Sequence, residues 1–519
     1  MLDPLDAALA EAIGHFQAGR LTEAASVGQQ ILAVQPKLAQ ALHLLGAVAL
    51  RGGQAGEAVR LIGQAIALDG GMAVYHSSLG QAHRLLGARP EAIACYERAL
   101  SINPNFGPAQ ANLAQALEAC GLDVAVEYYR RLVATLPANA IARANFAYMV
   151  EKSGETEAAI EIYRQALALD PNQPVALGNL GVALADLGRI DEALACYRQA
   201  LALDPNDASA HNGLGLTLLL KGEYAAAWPH HEHRPRDWGG EFTIPRWRGE
   251  PLDGRRILLH AEQGMGDTLQ FVRYVPMVAS HGGRVVLATV PALAPLFAGL
   301  PGVEELVTGR KPPADLAWHC PLMSLPLAFG TTRETIPGPW PYLQAPADRL
   351  GPWRERVGGD GRLKVGLVWK GQPKLRRDRA RSLPPDALAP LAAADVAYYA
   401  LQKTETETGT AAADLPAALQ ATDLADGFSD YAETAAALMA LDLVITVDTS
   451  VAHLAGALGK PVWVLISKVP DWRWGLAGPD SAWYPSARLF RQSEAGVWDD
   501  VVADVLRALV ERVSWSPAG

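Results

Sequence analysis

Cysteine is scarce in this chain, with 4 in 519 residues. Cys95, Cys120, Cys196 and Cys320 stand far apart without a C-x-x-C pair, which argues against a disulfide framework and against a cysteine zinc site and leaves reduced, mostly buried thiols as the expectation. Positive charge is also in deficit: 45 Lys and Arg face 55 Asp and Glu, a formal charge of −10. With no strongly basic domain, binding a nucleic-acid duplex by phosphate neutralisation is not expected. Long apolar runs are missing, since stretches such as 216–220 and 443–447 fall far short of the ~20 residues that a membrane span needs. No membrane span is therefore expected. The start carries Asp3 and Asp6 where a secretory signal would carry Lys or Arg, so the chain reads as cytoplasmic. What is present, 50% apolar and 19% charged residues, describes a folded protein and excludes disorder and collagen.

The first half is periodic. Pro36, Gly70, Pro104, Pro137, Pro171 and Pro205 follow one another at spacings of 34, 34, 33, 34 and 34. In register with them come Leu45-Gly46, Leu79-Gly80, Leu180-Gly181 and Leu214-Gly215, then Ala58, Ala92, Ala159, Ala193 and Ala227, then Tyr96, Tyr163 and Tyr197. A two-helix unit explains every recurring letter: small residues let antiparallel helices approach, tyrosine wedges between neighbours, and proline stops the second helix. From about residue 5 to 231 the chain resembles tetratricopeptide repeats, with six full repeats and a partial seventh from Ala208. The resemblance implies packing rather than catalysis here, and a groove that holds a peptide or protein. Acidic residues outnumber basic ones 22 to 15 over residues 1–231, which favours a basic or neutral partner.

The WPHHEHRPRDW segment follows. His230, His231 and His233 are candidate metal ligands; the alternative, favoured because no helical i, i+4 pair is present, is that Trp228, Trp238 and Trp247 bridge the array to the next domain with the histidines at the rim.

From Arg255 the period changes. Short apolar runs at 256–260, 284–288, 365–369, 443–447 and 462–466 alternate with Ala-rich amphipathic stretches, the pattern of parallel α/β sheets. A Pro/Gly-rich stretch from Ile336 to Gly361 divides this half into two Rossmann-like lobes with a cleft between them. The expected layout is an all-α tetratricopeptide superhelix at 1–231, a linker at 232–254, a first lobe at 255–343, an interlobe linker at 344–362, and a nucleotide-sugar-binding lobe at 363–519. After the first strand, Gly264 and Gly266 permit a tight turn and Asp267 opens a helix, either as a functional carboxylate or as a helix cap. After the strand at 365–369, Lys370, Lys374, Arg376, Arg377, Arg379 and Arg381 cluster within twelve residues, opposed by Asp378, as a phosphate clamp or a solvated loop. Asp448, Thr449 and Ser450 follow a buried strand and open a helix whose free amides suit a diphosphate.

The DTSVAHLAGALGKPVWVL segment, together with GMGD, resembles the heptosyltransferase-like family 9 glycosyltransferases, over about residues 255–512. That resemblance implies a GT-B fold, an inverting reaction in which Asp267 is the general base, and donor contacts from Asp448, Thr449, Ser450 and His453. His453 as a satisfied core histidine is the competing reading. With Gly264, Gly266, Lys370, Arg379 and Arg381, these complete the expected donor site, with no metal and no cofactor beyond the nucleotide-sugar donor. Simple heptosyltransferases lack the repeats and the aromatic tail with Trp472, Trp474, Trp483 and Tyr484, which stacks on a base or sugar or packs at the lobe interface. Helical repeats ahead of a GT-B module are similar in layout to protein O-glycosyltransferases, including the O-GlcNAc transferases and bacterial flagellin-modifying enzymes. The expected activity is thus transfer of a sugar, with a nonulosonic acid among the candidates, to a protein hydroxyl, with flagellin the first candidate acceptor. The alternatives are a noncatalytic repeat scaffold with a decayed sugar-nucleotide domain, and a glycosyltransferase acting on lipid or saccharide.

Overall fold

The computed structural model describes residues 4–104, 106–235, 242–309, 313–338, 340–372, 378–403 and 411–515. The chain is an all-helical tetratricopeptide array followed by an α/β half of two parallel sheets. Among the described residues, fourteen helices run from Pro4 to His231 in seven consecutive pairs, the last pair being Ala208–Lys221 and the shorter Tyr224–His231. Helix Ala55–Leu68 shows the rule they follow, burying Ala58, Leu61, Ile62 and Ala65 on one stripe of a 3.6-residue period. Helices Leu21–Val34 and Thr156–Leu169 each end two residues before Pro36 and Pro171, where the ring removes an amide donor. The small residues act by proximity: a Cβ on Gly80 would stand 2.5 Å from the ring of Tyr96, which is itself buried.

A second periodic set carries the turns. Gly19, Gly53, Gly87, Gly121, Gly154, Gly188 and Gly222 all have φ between +74° and +123°, and each lies between the two helices of a pair. A side chain there would be strained, so glycine is the residue that reverses the chain.

Packing divides the chain into two compact units, Met1–Ala183 and Leu184–Gly519. In the second unit, β1 (Arg256–His260), β2 (Arg284–Thr289), β3 (Val303–Thr308) and β4 (Trp318–Pro321) form a parallel sheet in the order β3-β2-β1-β4. A second parallel sheet contains β5 (Leu363–Val368), β6 (Val396–Ala400), β7 (Thr422–Asp423), β8 (Leu443–Val447), β9 (Val462–Ile466) and β10 (Ala487–Arg491), in the order β10-β9-β8-β5-β6-β7. Strand order reverses beside β1 in one sheet and beside β5 in the other. Such switch points open a crevice at the strand carboxyl ends. The five strands expected from apolar runs are present. Unforeseen are the charged β3, the short β4 and β7, and β6 and β10. Between the sheets, helix Ala347–Val357 docks on helix Tyr431–Ala440: Arg349 donates to Asp430 at 2.7 Å, and Trp353 Nε1 donates to Glu433 at 2.6 Å.

None of the four cysteines is in a disulfide, and only Cys320 is buried: Cys95 and Cys196 are half-buried, and Cys120 is exposed because its helix ends beside it in a turn. Among the described residues, no helix is long and apolar enough to cross a membrane.

Two glycine substitutions separate packing from propensity. Gly80→Ala is expected to lower stability by roughly 1–3 kcal/mol because Tyr96 has no room to move. Gly63→Ala, in a helix interior with nothing within 4 Å of the new Cβ, is expected to raise stability by about 0.5–1 kcal/mol. Thermal unfolding of both variants tests the opposite signs.

Candidate active site

Asp267 belongs to the third position of helix Met265–Phe271, whose N-cap is Gly264. From there its carboxylate reaches back to the Gly264 amide, one half of a capping box. Neither Gly264 nor Gly266 has a left-handed φ, so the turn is not what requires them. Proximity is: a Cβ on Gly264 would sit 3.2 Å from Asp267 Oδ2, and one on Gly266 would sit 2.8 Å from His453 Cδ2. Gly266 thereby lets a helix of the first lobe lie against helix Ser450–Ala457 of the second.

What meets Asp267 from the second lobe is Arg473, a residue the sequence reading did not single out. Its guanidinium is 9% exposed. It pairs with Asp267 through Nη2, with Asp471 through Nη1 at 2.9 Å, and donates from Nε to the buried Gln270. Burial pushes the Asp267 carboxyl above its ordinary range, against the opposing pull of Arg473, with the charge of Asp471 adding to the rise. Asp471 goes the other way: burial alone would raise it, but Arg473 holds it low.

Asp448 follows β8 at the same crevice. Burial, reinforced by the charge of Asp471, pushes its carboxyl up to about 6, while Arg381 and Arg473 act against the rise. His453 Nδ1 lies 2.8 Å from the Tyr484 hydroxyl and Nε2 lies 4.0 Å from Asp448 Oδ1. Burial, with help from Arg473, lowers the ring to about 3. A neutral ring accepting from Tyr484 carries its proton on Nε2, facing Asp448. His453 is thus both a buried, satisfied histidine and a neighbour of the crevice. The structure brings Asp267, Asp448, His453, Gly264 and Gly266 together, and Arg381 lies close enough to bear on Asp448 and His453 electrostatically.

The remaining candidates are placed less directly. Thr449 caps helix Ser450–Ala457 by backbone alone, with its hydroxyl 3.1 Å from that of Thr446. Ser450 Oγ accepts from Tyr431 at 2.7 Å. Lys370 is half-exposed and pairs with Asp414 at 3.3 Å. Arg381 pairs with Asp378 at 3.0 Å, and the same buried carboxylate accepts from Ser382. The two described cations of the basic loop are therefore already partnered. Lys374, Arg376, Arg377 and the side chain of Arg379 lie outside the described residues.

The aromatic tail packs rather than projects. Trp472, Trp474, Trp483 and Tyr484 are buried, and Trp472 lies beneath the Arg473 guanidinium at 4.5 Å. Arg273 of the first lobe donates twice to the Trp483 carbonyl at 3.1 Å and lies 4.4 Å over the Tyr342 ring. The last repeat joins in: Trp483 Nε1 donates to Tyr224 at 3.0 Å, Trp228 Nε1 donates to the Thr331 carbonyl at 2.7 Å, and Trp228 sits edge-on to Trp472. Trp228 makes the expected bridge. Trp247 does not, being buried in the first lobe against Phe329, and Trp238 lies outside the described residues. His230 faces His211 at 2.7 Å, His233 stacks on His211, and His231 is buried beside Trp228. Among the described residues, no group of three or more His, Cys, Asp or Glu side chains is arranged to hold a metal ion.

Family models described as "TPR repeat" match residues 152–188 and 183–222, and one described as "Tetratricopeptide repeat" matches residues 73–106. The array is thus a tetratricopeptide array, a protein-interaction scaffold. The chain is similar to Protein FlbA of Caulobacter vibrioides, 31% identical over 327 residues covering 56% of this chain. It spans about half the length of that relative, 53%. Among solved structures, it is similar to YrrB, a TPR protein with an unusual peptide-binding site, at 20% identity over 36% of this chain and 96% of that one, with a TM-score of 0.23. It is also similar to the APC/C hetero-tetramer Cut9–Hcn1, at 17% identity over 41% and 42% of the two chains, with a TM-score of 0.27.

The raised Asp448 predicts a signed pH effect. The folded state holds this proton up to about pH 6, whereas the unfolded chain releases it near 3.8, so ionised Asp448 costs stability above pH 6. Asp448→Asn is expected to raise the melting temperature above pH 6. The gain should shrink as pH falls through 6 and vanish below about 3.8. Melting curves of both proteins across that range check it.

Proposed function

We propose that this chain is a glycosyltransferase that moves a sugar from a nucleotide-activated donor to a hydroxyl of a protein held by the repeats. The observation that carries the reading is the meeting of Asp267, from the switch point of one parallel sheet, with Asp448, His453 and Arg473 beside the switch point of the other. Crevices of this kind are where open α/β sheets bind ligands. Asp267, raised by burial, takes the proton as the acceptor oxygen attacks the anomeric carbon. The bond from that carbon to the donor phosphate breaks, the nucleotide departs with the electron pair, and a single displacement inverts the centre. Charge on the departing phosphate falls to Lys370, Arg381 and the first amides of helix Ser450–Ala457. Flagellin as acceptor and a nonulosonic acid as sugar belong to this proposal. So does recruitment through the array, which the family models support as a protein-binding scaffold.

One observation favours a second reading. The carboxylate of Asp267 is engaged by Arg473 and the Gly264 amide, bonds that a purely structural residue would make. On that reading the α/β half binds a sugar nucleotide without transferring it.

Intact mass of proteins co-purifying with the wild-type chain or Asp267→Asn separates the two. A captured protein carrying an added sugar mass with wild type, and at least about 100-fold less of it with the variant, is the expected result. A captured protein left unmodified by both would favour the noncatalytic reading.

A further inference from the structure

We propose that Arg473 is the positioning residue for Asp267, holding the carboxylate aimed from the opposite lobe; the assignment rests on the glycosyltransferase reading above. The geometry leaves the guanidinium little freedom. It is almost buried, its face lies on Trp472, and its three donor directions are taken by Gln270 and Asp267 of the first lobe and Asp471 of the second. Trp472 is in turn fixed edge-on by Tyr224 and Trp228. A planar fork used in this way sets direction as well as charge, which a lysine cannot reproduce.

The arrangement also divides the labour of the two carboxylate oxygens. Arg473 takes Asp267 Oδ1, while Oδ2 is the oxygen beside Gly264, whose amide the carboxylate also engages. In the transfer step Oδ2 receives the acceptor proton, the new carbon–oxygen bond forms as the carbon–phosphate-oxygen bond breaks, and Oδ1 keeps its ion pair throughout. The charged groups bearing on Asp267 are Arg473, Asp471 and Arg234; His453 packs against Gly266 from the second lobe, with Asp448 4.0 Å from its Nε2. Burial favours the protonated acid, which is useless as a base, and Arg473 opposes that tendency. A charge-neutral replacement should therefore strand Asp267 protonated over a wider pH range.

The test is the pH dependence of kcat/KM for nucleotide release by the full chain with its captured acceptor, from UDP-N-acetylglucosamine, GDP-mannose and CMP-N-acetylneuraminate in turn. For Arg473→Gln, a fall on the order of 100-fold is expected, with the acid limb displaced to higher pH. Arg473→Lys should keep the limb near its wild-type position while remaining slow, because charge is restored and the fork is not. Asp471→Asn removes a negative neighbour and should displace the limb to lower pH; it carries the test if Arg473→Gln fails to fold. A folded Arg473→Gln, or Asp471→Asn, with the limb unmoved beside an active wild type overturns the assignment and leaves the glycosyltransferase reading standing. Wild type that releases nucleotide from none of the three donors removes both.

Discussion

A single buried guanidinium holds the α/β half in register. Arg473 is charged, nearly inaccessible, and shared between carboxylates and an amide from two different sheets. Removing the guanidinium would leave the partly buried carboxylates of Asp267 and Asp471 without their cation, which is costlier than the loss of a surface ion pair. Arg273 repeats the device from the opposite direction, reaching from the first lobe to the Trp483 backbone within a ring of aromatics. The two arginines tie one crevice wall to the other, and Asp267 is held directly by the first of them.

Two kinds of information in the sequence proved unequal. The repeat period was legible because each unit solves the same packing problem: where Gly46 meets Ile62, or Gly80 meets Tyr96, a small residue and a bulky side chain sixteen positions on recur together. The turn glycines from Gly19 to Gly222 carry an equally regular signal. It is hidden beside the louder proline period, although both have the same physical origin in backbone geometry. Strands that are buried on both faces, such as β8 and β9, announced themselves as apolar runs. Strand β3 lies on a sheet edge and carries the adjacent Glu304 and Glu305 with little of its length buried, so composition alone does not separate it from loop.

The crevice was half legible. Asp448 stands directly after a strand and Asp267 in the first turn of the helix that follows one, where a turn and a helix start mark them. Asp471 and Arg473 stand among tryptophans in a segment whose nearest pattern is aromatic, and the bond from Arg473 to Asp267 spans 206 positions; nothing local signals such a contact. The glycines were found for the wrong reason. Gly266 is required by the approach of His453, a relation between two lobes, and not by its own φ.

The pair of hydrogen bonds from the last repeat, Trp483 to Tyr224 and Trp228 to Thr331, bears on how such chains can be recombined. The repeat period ends near residue 231, yet Leu184 onward packs as one body with the sheets. A chimera cut where the repeats end would leave Trp472 and Trp483 facing water, and the segment that carries Arg473 would lose its backing. The workable seam lies inside the array. Changes to the array then belong upstream of Leu184, while the helices from Ile190 to His231 stay behind as a foundation stone of the α/β half.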